Sequence, residues 1–107
     1  MTEMQAIMER LRREPPESFD ACPVTSRTDY QAAVRICAGE KKPTGLPCAD
    51  ILEYELGEAG RVIVRPSGTE PKLKIYYAVR GKTREQAQVL LKTLRAAAQS
   101  TILGKEG

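Results

Sequence analysis

The chain has 107 residues, of which 41% are hydrophobic and 29% charged, and its formal net charge at pH 7 is +3. This length fits one domain with a modest core, and the composition excludes wholesale disorder. No apolar run approaches membrane-spanning length. The small positive charge does not indicate a nucleic-acid partner, but it agrees with an anionic ligand.

Cysteine and histidine content limits the metal chemistry. The three cysteines, Cys22, Cys37 and Cys48, are odd in number and show no CxxC spacing, and there is no histidine. A cysteine–histidine zinc site is therefore impossible. The first residues also lack the apolar centre of a signal peptide. We expect a cytoplasmic protein with reduced cysteines, each of which serves packing.

The first predicted element is a helix over residues 3–13, where apolar residues recur at helical spacing. Thr2 is the expected N-cap, and Pro15-Pro16 ends the helix. Three arginines near its C-terminus suit the helix dipole, and we interpret them as a solvated helix end rather than a nucleic-acid patch. These arginines are Arg10, Arg12 and Arg13.

The next stretch gives weaker signals. Residues 20–29 predict an extended segment that Pro23 interrupts. Residues 31–38 fit either a short helix or a strand. Residues 39–47 are rich in glycine, proline and lysine, which predicts a loop.

Three strands are predicted after residue 49. Residues 50–56 alternate as a half-buried strand does, with Leu52, Tyr54 and Leu56 on one side. A turn at 57–60 leads to a strand at 61–64. Residues 73–79 show the most regular alternation, and Lys74 on the outer side points either to a ligand or to solvent.

The last predicted element is a helix over residues 84–99, with Thr83 as N-cap and Gln86 completing a capping box. Its apolar face is expected to pack on the sheet, and it consists of Ala87, Leu90, Leu91, Leu94 and Ala98. Residues 100–107 are predicted to be a fraying tail. The pattern predicts a single α+β domain over residues 1–107, core about 20–100, with an antiparallel sheet of roughly four strands and helices packed on one face.

Between two predicted strands stands the sequence RPSGTEPK, residues 65–72. Arg65 offers a planar, permanently charged fork of donors, and Ser67 and Thr69 offer hydroxyl donors. Gly68 lets the backbone take a positive φ and approach an anion, and Pro66 and Pro71 restrict the loop. The motif predicts an anion-binding loop; the alternative is a tight hairpin turn with solvated charges.

RPSGTEPK closely resembles the phosphate-binding loop in the last domain of the α-D-phosphohexomutases. Residues 45–47, 49–54 and 72–77 are also similar to segments of that domain. Pro66 and the run at 72–76 resemble the phosphoglucomutase/phosphomannomutase branch more than the phosphoglucosamine mutase branch. The resemblance implies the C-terminal (fourth) domain of such an enzyme, with a TATA-binding-protein-like fold.

The resemblance implies that this domain holds the substrate's phosphate. Arg65, Ser67, Gly68 and Thr69 are then the substrate phosphate-binding residues, and Glu70 and Lys72 shape the loop. In the family a phosphoserine, a Mg²⁺ ion held by aspartates and the sugar-reading site belong to other domains. The expected partners are therefore a hexose phosphate (glucose or mannose phosphates) and other domains of the same enzyme, without nucleic acid or membrane.

The chain shows no complete catalytic set of its own, so we expect the isolated chain to be inactive. Ser67 is not a nucleophile elbow, because position 65 is arginine, and no serine–histidine pair exists. Residues 81–83 mimic the end of a P-loop, but Tyr76 occupies the position of its required glycine. The remaining carboxylates are interpreted as solvated surface; they are Asp50, Glu53, Glu55 and Glu58.

Two alternatives remain at this point. One is a stand-alone phosphosugar-binding or regulatory module. The other, less favoured, is a nucleic-acid-binding domain, for which the aromatic side chains available to stack on bases are few. They are Phe19, Tyr30, Tyr54, Tyr76 and Tyr77.

Overall fold

The computed structural model describes residues 2–19, 22–70 and 72–103. Asp20 and Ala21 of the predicted extended segment and Pro71 of the loop lie outside the described residues, as does the end of the predicted tail. The described part contains two α-helices, a short 3₁₀ helix at Gly57–Ala59 and eight strands. The α-helices and strands are α1 (Glu3–Arg13), β1 (Ser18–Phe19), β2 (Cys22–Pro23), β3 (Ser26–Asp29), β4 (Val34–Cys37), β5 (Glu40–Pro43), β6 (Leu52–Glu55), β7 (Gly60–Pro66), β8 (Leu73–Val79) and α2 (Arg84–Leu103).

Six of these strands form one antiparallel sheet in the order β5-β4-β3-β6-β7-β8, and β1 and β2 form a separate two-stranded ribbon. The α+β prediction with an antiparallel sheet is confirmed. The prediction of about four strands is wrong, because β4 and β5 add a hairpin. Residues 34–37 of the ambiguous stretch are strand, and the predicted loop at 39–47 contains β5.

The β4–β5 hairpin turns on two residues. Cys37 pairs with Glu40, and Ala38 and Gly39 between them have φ of 53° and 81°. Positive φ at both central residues is the geometry that matches the twist of paired strands. All four residues of β5 are exposed, so no alternation of apolar and polar residues marks this strand in the sequence.

One face of the sheet carries the core. Residues directly opposite each other in a sheet share a face, and Tyr54 pairs with Val62 while Leu52 pairs with Val64. All four are buried, and the helices cover them from the same side with Met8, Leu11, Leu94, Ala98 and Ile102. The alternation predicted for residues 50–56 and 73–79 is confirmed, since the positions assigned inward are the more buried ones.

Helix α1 has the predicted bounds and cap. The hydroxyl oxygen of Thr2 accepts from the N–H of Gln5 at 3.1 Å, and Gln5 Oε1 accepts from the N–H of Thr2 at 2.9 Å. This reciprocal pair satisfies two N–H groups that the first turn would leave free. Met8 and Leu11 then face the core.

Helix α2 starts as predicted but is four residues longer, so the prediction of a fraying tail is wrong for residues 100–103. Ile102 is fully buried and continues the i, i+4 spacing of Leu94 and Ala98 into the core. At the N-terminus, Thr83 Oγ1 accepts from the N–H of Gln86 at 3.1 Å. The side chain of Gln86 accepts from Lys82 N–H instead of closing the capping box on Thr83.

Two of the three arginines at the end of α1 are bound, so their prediction as a solvated helix end is wrong. Arg10 donates to the carbonyl oxygens of Thr101 and Ile102 and thereby caps the last turn of α2. Arg12 lies 3.2 Å from Asp29 and 2.7 Å from Asp50. Partial burial alone would lower the pKa of Arg12, but the hydrogen bond to Asp50 and the two negative charges outweigh it, and the pKa is raised.

All three cysteines are free thiols. Cys22 is partly buried and packs against the core, as predicted. The packing role predicted for Cys37 and Cys48 is wrong, because both are exposed.

Candidate functional site

The loop at residues 65–72 joins the last two strands of the sheet. Strand β7 runs to Pro66, which pairs with Leu73 at the start of β8. The loop is therefore the closed end of a β-hairpin. Leu52 pairs with both Val64 and Asp29, so the segments that precede β6 and follow β3 reach the same end of the sheet.

The loop is organised around Ser67. Its N–H donates to the carbonyl oxygen of Lys72 at 2.8 Å, and its Oγ accepts from the N–H groups of Thr69 at 3.4 Å and Glu70 at 3.3 Å. Ser67 is only 8% exposed. Its oxygen thus folds the loop, while the hydroxyl proton stays available to donate to an anion.

Gly68 differs from the expectation. Its φ lies outside the positive region that Gly39, Gly45, Gly57 and Gly60 adopt, so the predicted positive φ is wrong. A Cβ added at Gly68 would also meet no atom of the described residues within 4 Å. Neither its backbone conformation nor its described neighbours require glycine here, and the open space above it gives a ligand room to approach the backbone.

Arg65 and Lys74 lie directly opposite each other on β7 and β8. They share the sheet face that points away from the core, and both are exposed. Among the described residues Arg65 has no ion-pair partner. Two like charges opposite each other destabilise a sheet, and an anion bound between them would remove that repulsion.

Other cations of this outer face are neutralised within the described part of the chain. Arg61 lies 3.8 Å from Glu53, and Arg35 lies 3.2 Å from Glu55. Arg65 and Lys74 therefore lie next to a part of the outer face on which arginines and glutamates form ion pairs.

Three of the carboxylates interpreted as solvated surface form ion pairs, namely Asp50, Glu53 and Glu55. The interpretation is wrong for Glu53, because its side chain is mostly shielded from solvent. The side chain of Glu53 is 12% exposed and also accepts from Tyr30 Oη at 3.2 Å. Burial, together with the charge of Glu53, raises the pKa of Tyr30. Glu58 is exposed as expected.

The aromatic residues do not form a base-stacking surface. Phe19 and Tyr54 are fully buried and meet edge to face, with ring centroids 5.4 Å apart. Tyr77 is partly buried, and the guanidinium of Arg95 lies 5.9 Å from its ring centroid. Only Tyr76 is exposed among the large aromatic side chains of the described residues.

Sequence reasoning named every loop residue of this site but left the role of Lys74 open. The position of Lys74 opposite Arg65 follows from the hairpin, because the length of the loop fixes which residues of the two strands pair. The described residues bring no three His, Cys, Asp or Glu side chains together as a metal site. No helix in the described ranges is long and apolar enough to span a membrane.

Over more than half of its length the chain matches a domain of sugar-phosphate mutases. The model of the family "Phosphoglucomutase/phosphomannomutase, C-terminal domain" matches residues 21–97, more than half of the chain. The chain therefore belongs to this family, and the predicted resemblance to the last domain of these enzymes is confirmed.

Individual relatives agree with the family. A probable phosphomannomutase of Haemophilus influenzae is 34% identical over 85% of this chain, and a phosphoglucomutase of Staphylococcus haemolyticus is 33% identical over 78%. The chain spans only 16% of the length of each of these two relatives. A phosphoglucosamine mutase of Salinispora tropica is 32% identical over 91% of the chain and is matched over 19% of its own length. No solved structure matches the chain.

Proposed function

We propose that this chain is the domain that holds the substrate's phosphate in a phosphoglucomutase or phosphomannomutase, which transfers a phosphoryl group between the 1- and 6-positions of a hexose phosphate. The observation that carries the proposal is the arrangement at the loop. An exposed Arg65 without a described partner stands opposite Lys74, next to a hydroxyl-bearing turn and open space above Gly68.

Each residue has a distinct part in the proposed cradle. Arg65 gives the phosphate two parallel charge-assisted hydrogen bonds, and Lys74 adds a second positive charge from the neighbouring strand. Ser67 donates its hydroxyl proton while its oxygen keeps the loop folded. Gly68 offers a backbone N–H group, and Thr69 offers a hydroxyl.

The role of the cradle is to position the substrate. A bisphosphorylated sugar that turns around between two half-reactions presents one non-reacting phosphate to the same cradle in either orientation. Binding energy from this remote group then helps to align the reacting oxygen elsewhere in the enzyme. A hinge movement of the domain over the substrate is part of the proposal.

We assign the phosphoryl transfer itself to other domains of the enzyme. The described residues do not fit a resident Mg²⁺, since no three of their acidic, cysteine or histidine side chains come together as a ligand set. The isolated chain is accordingly proposed to be a single, catalytically inactive domain. Helices on one face of an antiparallel sheet agree with a TATA-binding-protein-like fold, which stays part of the proposal. No specific observation favours a stand-alone phosphosugar module or a nucleic-acid binder.

The test is an NMR titration of the ¹⁵N-labelled chain with inorganic phosphate at constant ionic strength. The amides of Ser67, Gly68 and Thr69 should shift most, with a dissociation constant on the order of millimolar, because one phosphate in an open cradle makes few contacts. Sodium chloride at matched ionic strength is the control. Shifts that cluster elsewhere, for example at the first turn of α2, would contradict the assignment.

A further inference from the structure

The outer face of the sheet carries one exposed aromatic ring beside the proposed cradle. Tyr76 on β8 is 47% exposed and lies directly opposite Ile63 on β7. Neither its ring nor its hydroxyl has an aromatic or hydrogen-bond partner among the described residues. Exposed rings of this kind on a sheet face offer a flat apolar surface to a ligand.

The register places this ring next to the cradle. Arg65 and Lys74 form one cross-strand pair, and Ile63 and Tyr76 form the next pair on the same face, two residues along each strand. Two residues of strand span about 6.6–6.8 Å. In a hexose 6-phosphate, one oxygen and one methylene group separate the phosphorus from the ring, so a phosphate between the first pair leaves the sugar ring over the second.

The chemistry of the second pair suits a pyranose. An aromatic face is electronegative, and the axial C–H groups of a sugar ring carry slight positive charge, so the two stack with weak attraction. Ile63 widens the apolar surface, and Ala78, the next outward residue of β8, is too small to obstruct it. Such a surface contacts one side of the ring and does not distinguish glucose from mannose by a hydrogen bond.

We propose that Tyr76, with Ile63 beside it, is a stacking platform for the ring of the hexose phosphate whose phosphate lies between Arg65 and Lys74. This inference rests on the proposed function. It assigns to this domain a contact with the sugar in addition to the contact with the phosphate.

The experiment compares three ligands on the 107-residue chain: inorganic phosphate, glucose 6-phosphate and glucose. Inorganic phosphate should shift the loop amides alone. Glucose 6-phosphate should also shift the ring protons of Tyr76 and bind about two- to tenfold more tightly, the range expected for one aromatic stacking contact. Glucose alone should give no saturable shift.

Two variants separate stacking from folding. Tyr76→Ala should bind glucose 6-phosphate no better than inorganic phosphate, with its affinity for inorganic phosphate unchanged. Tyr76→Phe keeps the ring and should retain the preference.

The outcomes distinguish the two proposals. If phosphate binds at the loop but glucose 6-phosphate gains nothing and leaves Tyr76 unmoved, the platform is overturned and the proposed function stands. If neither ligand shifts the loop, the proposed function fails. If the chemical shifts of Tyr76 instead change with protein concentration, the outer face of the sheet binds a second copy of the chain. That result also overturns the platform.

Discussion

The substitution Arg65→Ala separates binding from folding more sharply than any other change in the loop. Arg65 is exposed, ends strand β7, and has no ion-pair partner among the described residues. Its loss should therefore leave the core untouched. It should even relieve the repulsion with Lys74, which lies directly opposite.

The expected loss in binding follows from one bidentate contact. Hydrogen bonds to a charged group contribute about 1.5–3 kcal/mol, which corresponds to about ten- to 150-fold weaker phosphate binding. Because the starting affinity is expected to be on the order of millimolar, the variant should show only a shallow, unsaturated titration. In a full-length mutase, KM for glucose and mannose phosphates should rise by similar factors, and turnover should also fall if the anchor aligns the sugar.

The assay is an NMR phosphate titration of the variant chain together with a thermal melt. Arg80→Ala is the matched control, since it removes an exposed arginine of the same charge just beyond the other end of β8. Arg80→Ala should bind phosphate nearly as well as the unmodified chain.

Two results would refute this reasoning. Unchanged phosphate affinity in Arg65→Ala would remove Arg65 from the site. A melt that collapses would make Arg65 a structural residue and return the loop to a hairpin turn with solvated charges.

Three further substitutions test the loop and the fold. Gly68→Ala should keep or raise stability by up to about 1 kcal/mol in a thermal melt, yet weaken phosphate binding, because its methyl group enters space that is open in the free chain. Tyr54→Phe removes a buried hydroxyl with no hydrogen-bond partner among the described residues and should stabilise the fold by about 1 kcal/mol in urea denaturation. Burial also raises the pKa of Tyr54 from 10.0 to about 12, so the folded state holds this proton more tightly. This difference in pKa contributes fully to the free energy of unfolding below pH 10, and the contribution is lost as the pH rises toward 12. In urea denaturation across this pH range, the free energy of unfolding should therefore fall less steeply for Tyr54→Phe than for the unmodified chain. Gly60→Ala should cost more than about 3 kcal/mol in the same urea assay, because its Cβ would lie 1.8 Å from the carbonyl oxygen of Ala78 at a φ of 133°; normal stability would refute this packing.

Elements with a one-sided environment could be predicted from the sequence. Strand β8 alternates between a helix-covered face and an outer face, and the sequence alternates with it. Helix α1 combines an apolar stripe with a capping box at Thr2 and Gln5, which are both local signals. In such elements the periodicity and the tertiary environment agree.

Elements that lack such an environment could not be predicted. Strand β5 is exposed on every residue, and only its pairing with β4 makes it a strand. The last turn of α2 has polar Ser100 and Thr101 on its outer side, and the burial of Ile102 and the cap from Arg10 come from distant parts of the chain. Tertiary contacts of this kind leave no local signal.

The candidate site divides in the same way. The loop residues follow one another in the sequence, so an anion-binding loop could be predicted from the motif alone. The placement of Lys74 opposite Arg65 and of Tyr76 opposite Ile63 depends on the hairpin register. The composition of the motif does not reveal the conformation of Gly68 or the two hydrogen bonds that the Ser67 oxygen accepts within the loop.

The central claim is that the loop at residues 65–72 holds the phosphate of a hexose phosphate. Its most direct test is a crystal structure of the chain grown with glucose 6-phosphate well above the expected millimolar dissociation constant. We expect phosphate oxygens within hydrogen-bonding distance of the Arg65 guanidinium, Ser67 Oγ and either the backbone N–H of Gly68 or the hydroxyl of Thr69. A phosphate bound at another basic surface, with the loop occupied by solvent alone, would contradict it.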